Sequence, residues 1–157
     1  MEKRYYIAYG SNLHLSQMWK RCPTARVIGT SKLEGWELLF KGSQTGSYLT
    51  IEQNPNRSVP VAVWDVTERD ERALDIYEGY PRFYYKKEME LPIKGIKSGI
   101  IRNRKVFVYI MHEERPLGVP SSGYMRTCLE GYDAFGFDEE FLYEALRKSM
   151  EGSKCQK

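Results

Sequence analysis

Tyr6-Ile7-Ala8-Tyr9-Gly10-Ser11-Asn12-Leu13 joins an aromatic and aliphatic run to a glycine-led turn, and the fold is read outward from that junction. Arg4 to Tyr9 has the composition of a buried strand, and Gly10-Ser11-Asn12 then offers a turn and a helix cap. Leu13 to Arg21 is predicted as the helix: Leu15, Met18 and Trp19 fall at helical spacing, and Pro23 ends it. Backbone N–H groups at a helix start lack intrahelical partners and carry the positive end of the peptide dipoles. Such a turn can hold a carboxylate or an oxyanion. Gly10 lets a ligand approach the backbone, while Ser11 and Asn12 can donate hydrogen bonds or cap the helix. Taken alone, the string equally describes an ordinary capped strand-turn-helix.

Beyond Pro23 the pattern becomes short and β-like. Ala25 to Leu33, Trp36 to Phe40, Tyr48 to Glu52 and Val59 to Val66 are separated by Gly35, Gly42, Gly46 and Asn54-Pro55. Short strands with turns between them predict a curled sheet or small barrel. Thr67-Glu68-Arg69-Asp70 has the form of a capping box, from which a helix runs to about Glu78. Strands are predicted over Tyr84 to Leu91 and Lys105 to Met111, with a hairpin region from Gly95 to Arg104. Pro120-Ser121-Ser122 reads as a helix start, and the last two helices fall over Tyr124 to Tyr132 and, capped by Asp138, over Asp138 to Met150. With no internal repeat, residues 1–157 are predicted as one domain.

The segment Leu74-Asp75-Ile76-Tyr77-Glu78-Gly79-Tyr80-Pro81 breaks a local rule. Carboxylates are favoured at helix N-termini, whereas Glu78 stands at a helix end carrying partial negative charge. Leu74 lies four residues back on the same face, and Tyr77, Tyr80 and Phe83 are close in sequence, so the carboxylate borders apolar surface. Both effects raise its proton affinity toward that of a general base. The alternative is an exposed glutamate before a C-capping glycine.

Composition excludes several classes. The chain has 24 Lys plus Arg against 21 Asp plus Glu, with the signs intermixed. The one local basic excess, Lys94, Lys97, Arg102, Arg104 and Lys105, reads as a solvated loop rather than a nucleic-acid face. Cys22, Cys128 and Cys155 have neither disulfide nor metal-ligand spacing, and His14 and His112 lack a partner at diagnostic spacing. The start Met1-Glu2-Lys3-Arg4-Tyr5 lacks a signal-peptide core, and no apolar run has membrane-spanning length. A cytoplasmic protein without membrane or nucleic-acid partners is expected. No GxGxxG, GxxxxGK[ST] or HExxH string occurs.

Taken together and in this order, Tyr6 to Leu13, Leu74 to Gly79 and Pro120-Ser121-Ser122-Gly123-Tyr124 resemble the γ-glutamylcyclotransferase-like family, which includes the AIG2-like proteins. Arg26 to Phe40 and Val61 to Val66 are similar to that family's barrel strands. The resemblance implies an α+β fold, a small mixed β-barrel flanked by helices. It also implies a cofactor-free cyclising enzyme, acyltransferase- or lyase-like in type, with neither cofactor nor metal. Its small-molecule substrate is a γ-glutamyl amide or amine, released as 5-oxoproline plus the free amine. Tyr9, Gly10, Ser11, Asn12 and Leu13 match the substrate-holding loop, Glu78 the acid/base, and Tyr124 a further substrate contact. A homodimer is possible by family analogy alone.

The chemistry needs few groups. The substrate's own α-amine attacks its γ-carbonyl, and such intramolecular alignment is worth roughly 7 to 11 kcal/mol of barrier. What the protein must supply is a base for the ammonium proton, an acid for the leaving nitrogen, and donors for the oxyanion or the α-carboxylate; the loop from Gly10 to Leu13 suits either donor role. The alternative is a non-catalytic binding protein on the same barrel, in which Glu78 pairs an ammonium. Tyr80-Pro81-Arg82 is expected at the cavity mouth, where Lys86 and Lys87 are candidates to border the leaving amine.

Overall fold

The computed structural model describes residues 4–43 and 46–155, with the side chains of Ser43 and of residues 153–155, Cys155 included, outside that description. Five strands close into a barrel in the order β1-β3-β2-β4-β5. They are β1 (Arg4–Ala8), β2 (Arg26–Ser43), β3 (Gly46–Val66), β4 (Tyr84–Gly95) and β5 (Ile101–Met111). Three of the neighbouring pairs in that order, β1–β3, β2–β3 and β4–β5, are antiparallel along most of their length, and β2 meets β4 antiparallel at Gly29 and Thr30. A parallel pairing of β1 with β5, Tyr6 opposite Phe107, shuts the barrel and makes it mixed. Closure leaves no open sheet edge at that seam. Helices α1 (Leu15–Arg21), α2 (Glu68–Glu78), α3 (Ser122–Phe135) and α4 (Glu140–Cys155) surround it.

The barrel strands are longer than the sequence pattern predicts. Gly35 does not separate two strands as the sequence pattern predicts; it adopts φ +84° and forms a bulge within β2, where the register slips between Glu34 and Trp36. Opposite it, Gln53 pairs with Trp36 and Ser58 with Glu34, so residues 54–57 bulge out of the ladder. The Asn54-Pro55 turn signal survives there as a local turn, the Asn56 N–H donating to Asn54 Oδ1 at 3.1 Å. In the β4–β5 hairpin, regular pairing runs from Tyr84 opposite Met111 to Lys94 opposite Ile101, so Arg102, Arg104 and Lys105 stand on a strand rather than in a loop.

The first helix also differs from its prediction. Ser11–Leu13 forms a single 3-10 turn, in which Leu13 N–H donates to Gly10 C=O and His14 N–H to Ser11 C=O, both at 3.0 Å. α1 begins anew at Leu15, with His14 as its cap accepting from Gln17 N–H. Packing is the reason: Leu13 is wholly buried against α3, where a Cβ on Gly131 would lie 2.7 Å from Leu13 Cβ.

α2 follows its sequence signals at both ends. Thr67 and Asp70 form the reciprocal capping box, and Thr24 Oγ1 donates to Asp70 Oδ2 at 2.7 Å. Glu78 is the last helical residue. Gly79, at φ +64°, then lets its own N–H reach Ile76 C=O and the Tyr80 N–H reach Asp75 C=O. That paired C-terminal closure fixes where the Glu78 side chain emerges. Among the described residues, no helix is long and apolar enough to cross a membrane.

Candidate active site

A cavity of about 350 Å³ opens where the turn after β1, the end of α2, the start of β3 and the first turn of α3 converge. Glu78 lines it, beside Gly10, Ser11 and Asn12 on one wall and Tyr124 on another. Leu13, the remaining residue of the predicted loop, does not reach it. Its side chain belongs to the core and its N–H is already donated to Gly10, which removes it as an oxyanion donor. Ser11 and Asn12 lead the 3-10 turn, so their N–H groups have no intrahelical acceptor. The polar character of this wall comes from that single turn and not from the dipole of α1, which starts farther on.

Gly10 has a steric role. A Cβ there would meet Leu49 Cδ1 at 3.2 Å and the Tyr124 hydroxyl at 3.4 Å. Its absence keeps the space between loop, β3 and α3 open to a ligand.

Glu78 forms no hydrogen bond and no ion pair among the described residues, although its side chain is largely enclosed. Burial pushes its carboxyl up to about 8, and the Arg21 charge opposes that rise. A carboxyl with that affinity is populated in both protonation states near neutral pH, as a proton shuttle requires.

The surrounding hydroxyls have fixed polarities. Tyr9 donates to Tyr109 C=O at 2.7 Å and Tyr84 donates to Leu49 C=O at 2.8 Å, so both offer only lone pairs to the cavity. Tyr6 accepts from Asn12 Nδ2 at 2.8 Å and Tyr124 accepts from Leu49 N–H at 3.1 Å, so each keeps an O–H proton to give. Burial raises the affinities of all four hydroxyls, which stay neutral.

Sequence reasoning named Glu78, Tyr9, Gly10, Ser11, Asn12 and Tyr124, and the fold brings all of them to one cavity. It missed Tyr6, Tyr84, Tyr109 and Leu49, which arrive from four strands. The available signal was aromatic density, 12 tyrosines in 157 residues, without a pattern to select among them. Of the Tyr80-Pro81-Arg82 segment, Tyr80 packs edge-on against Tyr109 at 6.4 Å, just outside the lining. Lys86 is occupied by Glu71 at 2.8 Å and Asp75 at 2.7 Å. The two cysteines whose side chains are described are poor nucleophiles: Cys22 and Cys128 are buried, which pushes each thiol up to about 12.

Fold and cavity together define the class of γ-glutamyl cyclotransferase-like barrels. The family model described as "Gamma-glutamyl cyclotransferase, AIG2-like" matches residues 6–126, and the chain belongs to that family. A human γ-glutamylcyclotransferase is 35% identical over 158 residues, covering 96% of this chain and 80% of the human protein. Among solved structures, a γ-glutamyl cyclotransferase superposes with a TM-score of 0.72 at 26% identity, covering 92% of this chain and 86% of the other. An uncharacterized human protein superposes with a TM-score of 0.75, also at 26% identity, covering 92% and 87%.

Proposed function

We propose that the protein cyclises a γ-glutamyl amide, releasing 5-oxoproline and a free amine, with Glu78 as the proton shuttle. The observation that carries this reading is a largely enclosed carboxylate without a hydrogen-bond partner, facing a glycine turn across a cavity of amino-acid size. The substrate folds so that its α-nitrogen approaches its γ-carbonyl carbon. Glu78 takes a proton from the ammonium, the new C–N bond forms, and the carbonyl oxygen becomes an oxyanion. The Ser11 and Asn12 N–H groups and the Tyr6 and Tyr124 hydroxyls are the donors available to that oxyanion and to the α-carboxylate. On collapse, the original amide C–N bond breaks, Glu78 returns its proton to the departing nitrogen, and the ring nitrogen gives up its remaining extra proton, so that the products are the neutral lactam and the amine as its ammonium. No protein nucleophile and no cofactor take part in this sequence. A cytoplasmic setting belongs to the same reading.

The test is a turnover screen over γ-glutamyl amino acids, polyamine conjugates and γ-glutamyl-lysine isopeptides, reading 5-oxoproline. The expected outcome is release from at least one class. A compound that binds and is recovered intact after long incubation, with no member of the panel turned over, favours a binding protein instead.

A further inference from the structure

We infer that Arg21 is a positioning residue of this site, one that sets the orientation of the Asn12 amide and through it the direction of the Tyr6 hydroxyl. The inference rests on the cyclase reading for its kinetic consequence, but its geometric content stands apart from it.

Arg21 closes α1 and makes no ion pair among the described residues. Its guanidinium is engaged wholly by neutral groups. Nη1 donates to Asn12 Oδ1, Nη2 donates to Gln17 Oε1 at 3.0 Å, and the guanidinium carbon lies 3.6 Å over the Tyr77 ring. The Asn12 and Tyr77 contacts lead into the cavity. Tyr77 meets Ser11 Oγ at 2.9 Å, and Asn12 Nδ2 donates to Tyr6 at 2.8 Å.

The polarity of the chain follows from the donor inventory. A guanidinium has only donors, so Asn12 must turn its carbonyl toward Arg21. Its NH2 end then faces Tyr6, whose oxygen is obliged to accept. The Tyr6 proton is thereby left for a ligand. Without a pure donor at position 21 the amide is free to flip, and Tyr6 would spend its proton on Asn12 Oδ1.

Electrostatics give a second, independent line. The titratable groups facing Glu78 are Tyr6, Tyr9, Tyr77, Tyr84, Tyr109 and Tyr124, each with its affinity raised above the ordinary tyrosine value and so neutral. Arg21 is the charge that acts on Glu78, and it lowers that carboxyl's affinity. Removing it moves the Glu78 titration upward.

The variants are Arg21→Lys, which keeps a pure donor and the charge, and Arg21→Gln, which keeps neither. Arg21→Gln is expected to lose tenfold or more in kcat/KM, of the order seen when a preorganised donor is lost, while Arg21→Lys retains most of it. Combined with Tyr6→Phe, the Arg21→Gln loss should be strongly non-additive, because both act through one hydroxyl. In the ligand-free protein, the 13C-detected titration of Glu78 should move up in Arg21→Gln and stay near wild type in Arg21→Lys. Thermal melts identify variants that fail to fold, in which case Arg21→Lys and Tyr6→Phe carry the comparison. Full additivity with Tyr6→Phe, an unmoved Glu78 titration in Arg21→Gln, or equal losses in both Arg21 variants would overturn the inference. Absence of turnover in the wild-type protein would overturn the cyclase reading alone, while unchanged Asn12 side-chain amide resonances in Arg21→Gln would overturn the positioning role of Arg21 whether or not turnover is seen.

Discussion

The Ser11 and Tyr77 hydroxyl oxygens lie 2.9 Å apart, joining segments 66 residues distant in the chain. One end of this contact leads the turn after β1 and the other immediately precedes Glu78, so the loop and the carboxylate share one support. Ser11→Ala should therefore weaken ligand binding more than folding. The lost hydrogen bond costs about 1 kcal/mol of stability by urea denaturation, and the main effect should be a severalfold rise in KM for any turned-over γ-glutamyl compound.

Glu78→Gln preserves shape and removes the proton-accepting group. A loss of about 10² to 10⁴ in kcat is expected, the usual worth of a positioned general base, with wild-type spectra and folding. Undiminished release of 5-oxoproline by the variant would remove Glu78 from the mechanism. The variant should also be at least as stable as wild type at pH 9, since enclosure disfavours the ionised carboxyl and an amide carries no such charge.

The pH dependence has a definite sign. Because Glu78 must be ionised to accept a proton, kcat/KM should fall as pH drops through about 8, the value to which burial raises it. Substrates whose amines differ in basicity should share that limb if it belongs to the enzyme. The same shift bears on stability. Between the ordinary carboxyl value of 4.5 and about 8 the folded state holds a proton that the unfolded state has released, so wild-type stability should decline with rising pH across that window. Glu78→Gln should lack that decline, as read by denaturant midpoints at several pH values.

What was legible in the sequence was whatever local chemistry determines. Thr67 and Asp70 announced the start of α2, and Glu78-Gly79 announced its end, because capping depends on residues a few positions apart. Gly35 and Asn54-Pro55 were legible as irregularities but not as bulges, since a bulge is defined by the partner strand's register. The break between the Ser11–Leu13 turn and α1 was hidden for a similar reason: it follows from Leu13 packing on Gly131, more than a hundred residues away. Tyr6 and Tyr84 could not be chosen from among the tyrosines, because what distinguishes them is the polarity of a hydrogen bond to a distant partner.

Leu49 has its N–H bound by Tyr124 and its C=O bound by Tyr84, so one residue's backbone gives opposite polarities to two cavity hydroxyls. Tyr84→Phe strands a buried carbonyl and should cost about 1 to 3 kcal/mol by chemical denaturation. Tyr124→Phe strands the N–H at comparable cost. It also removes a hydroxyl that keeps a proton for the ligand, so its KM should rise more than that of Tyr84→Phe for an anionic substrate head. Equal kinetic effects from the two variants would contradict the assigned polarities.

Gly131→Ala separates loop placement from the chemistry itself. The added methyl would lie 2.7 Å from Leu13 Cβ and 2.8 Å from Leu13 C, so α3 and the 3-10 turn must move apart. Overpacking of this kind costs about 1 to 3 kcal/mol. Because Leu13 anchors the turn whose Ser11 and Asn12 face the cavity, activity should fall beyond what the stability loss explains, even at temperatures where the variant is fully folded. Gly136→Ala is the matched control. It sits at the far end of α3 with φ +69° and no atom within 4 Å of the added Cβ, so it should lose stability through backbone strain while keeping wild-type kcat/KM. If both variants keep wild-type kcat/KM when folded, the turn is not held in place by Leu13, and the route from core packing to the cavity wall is wrong.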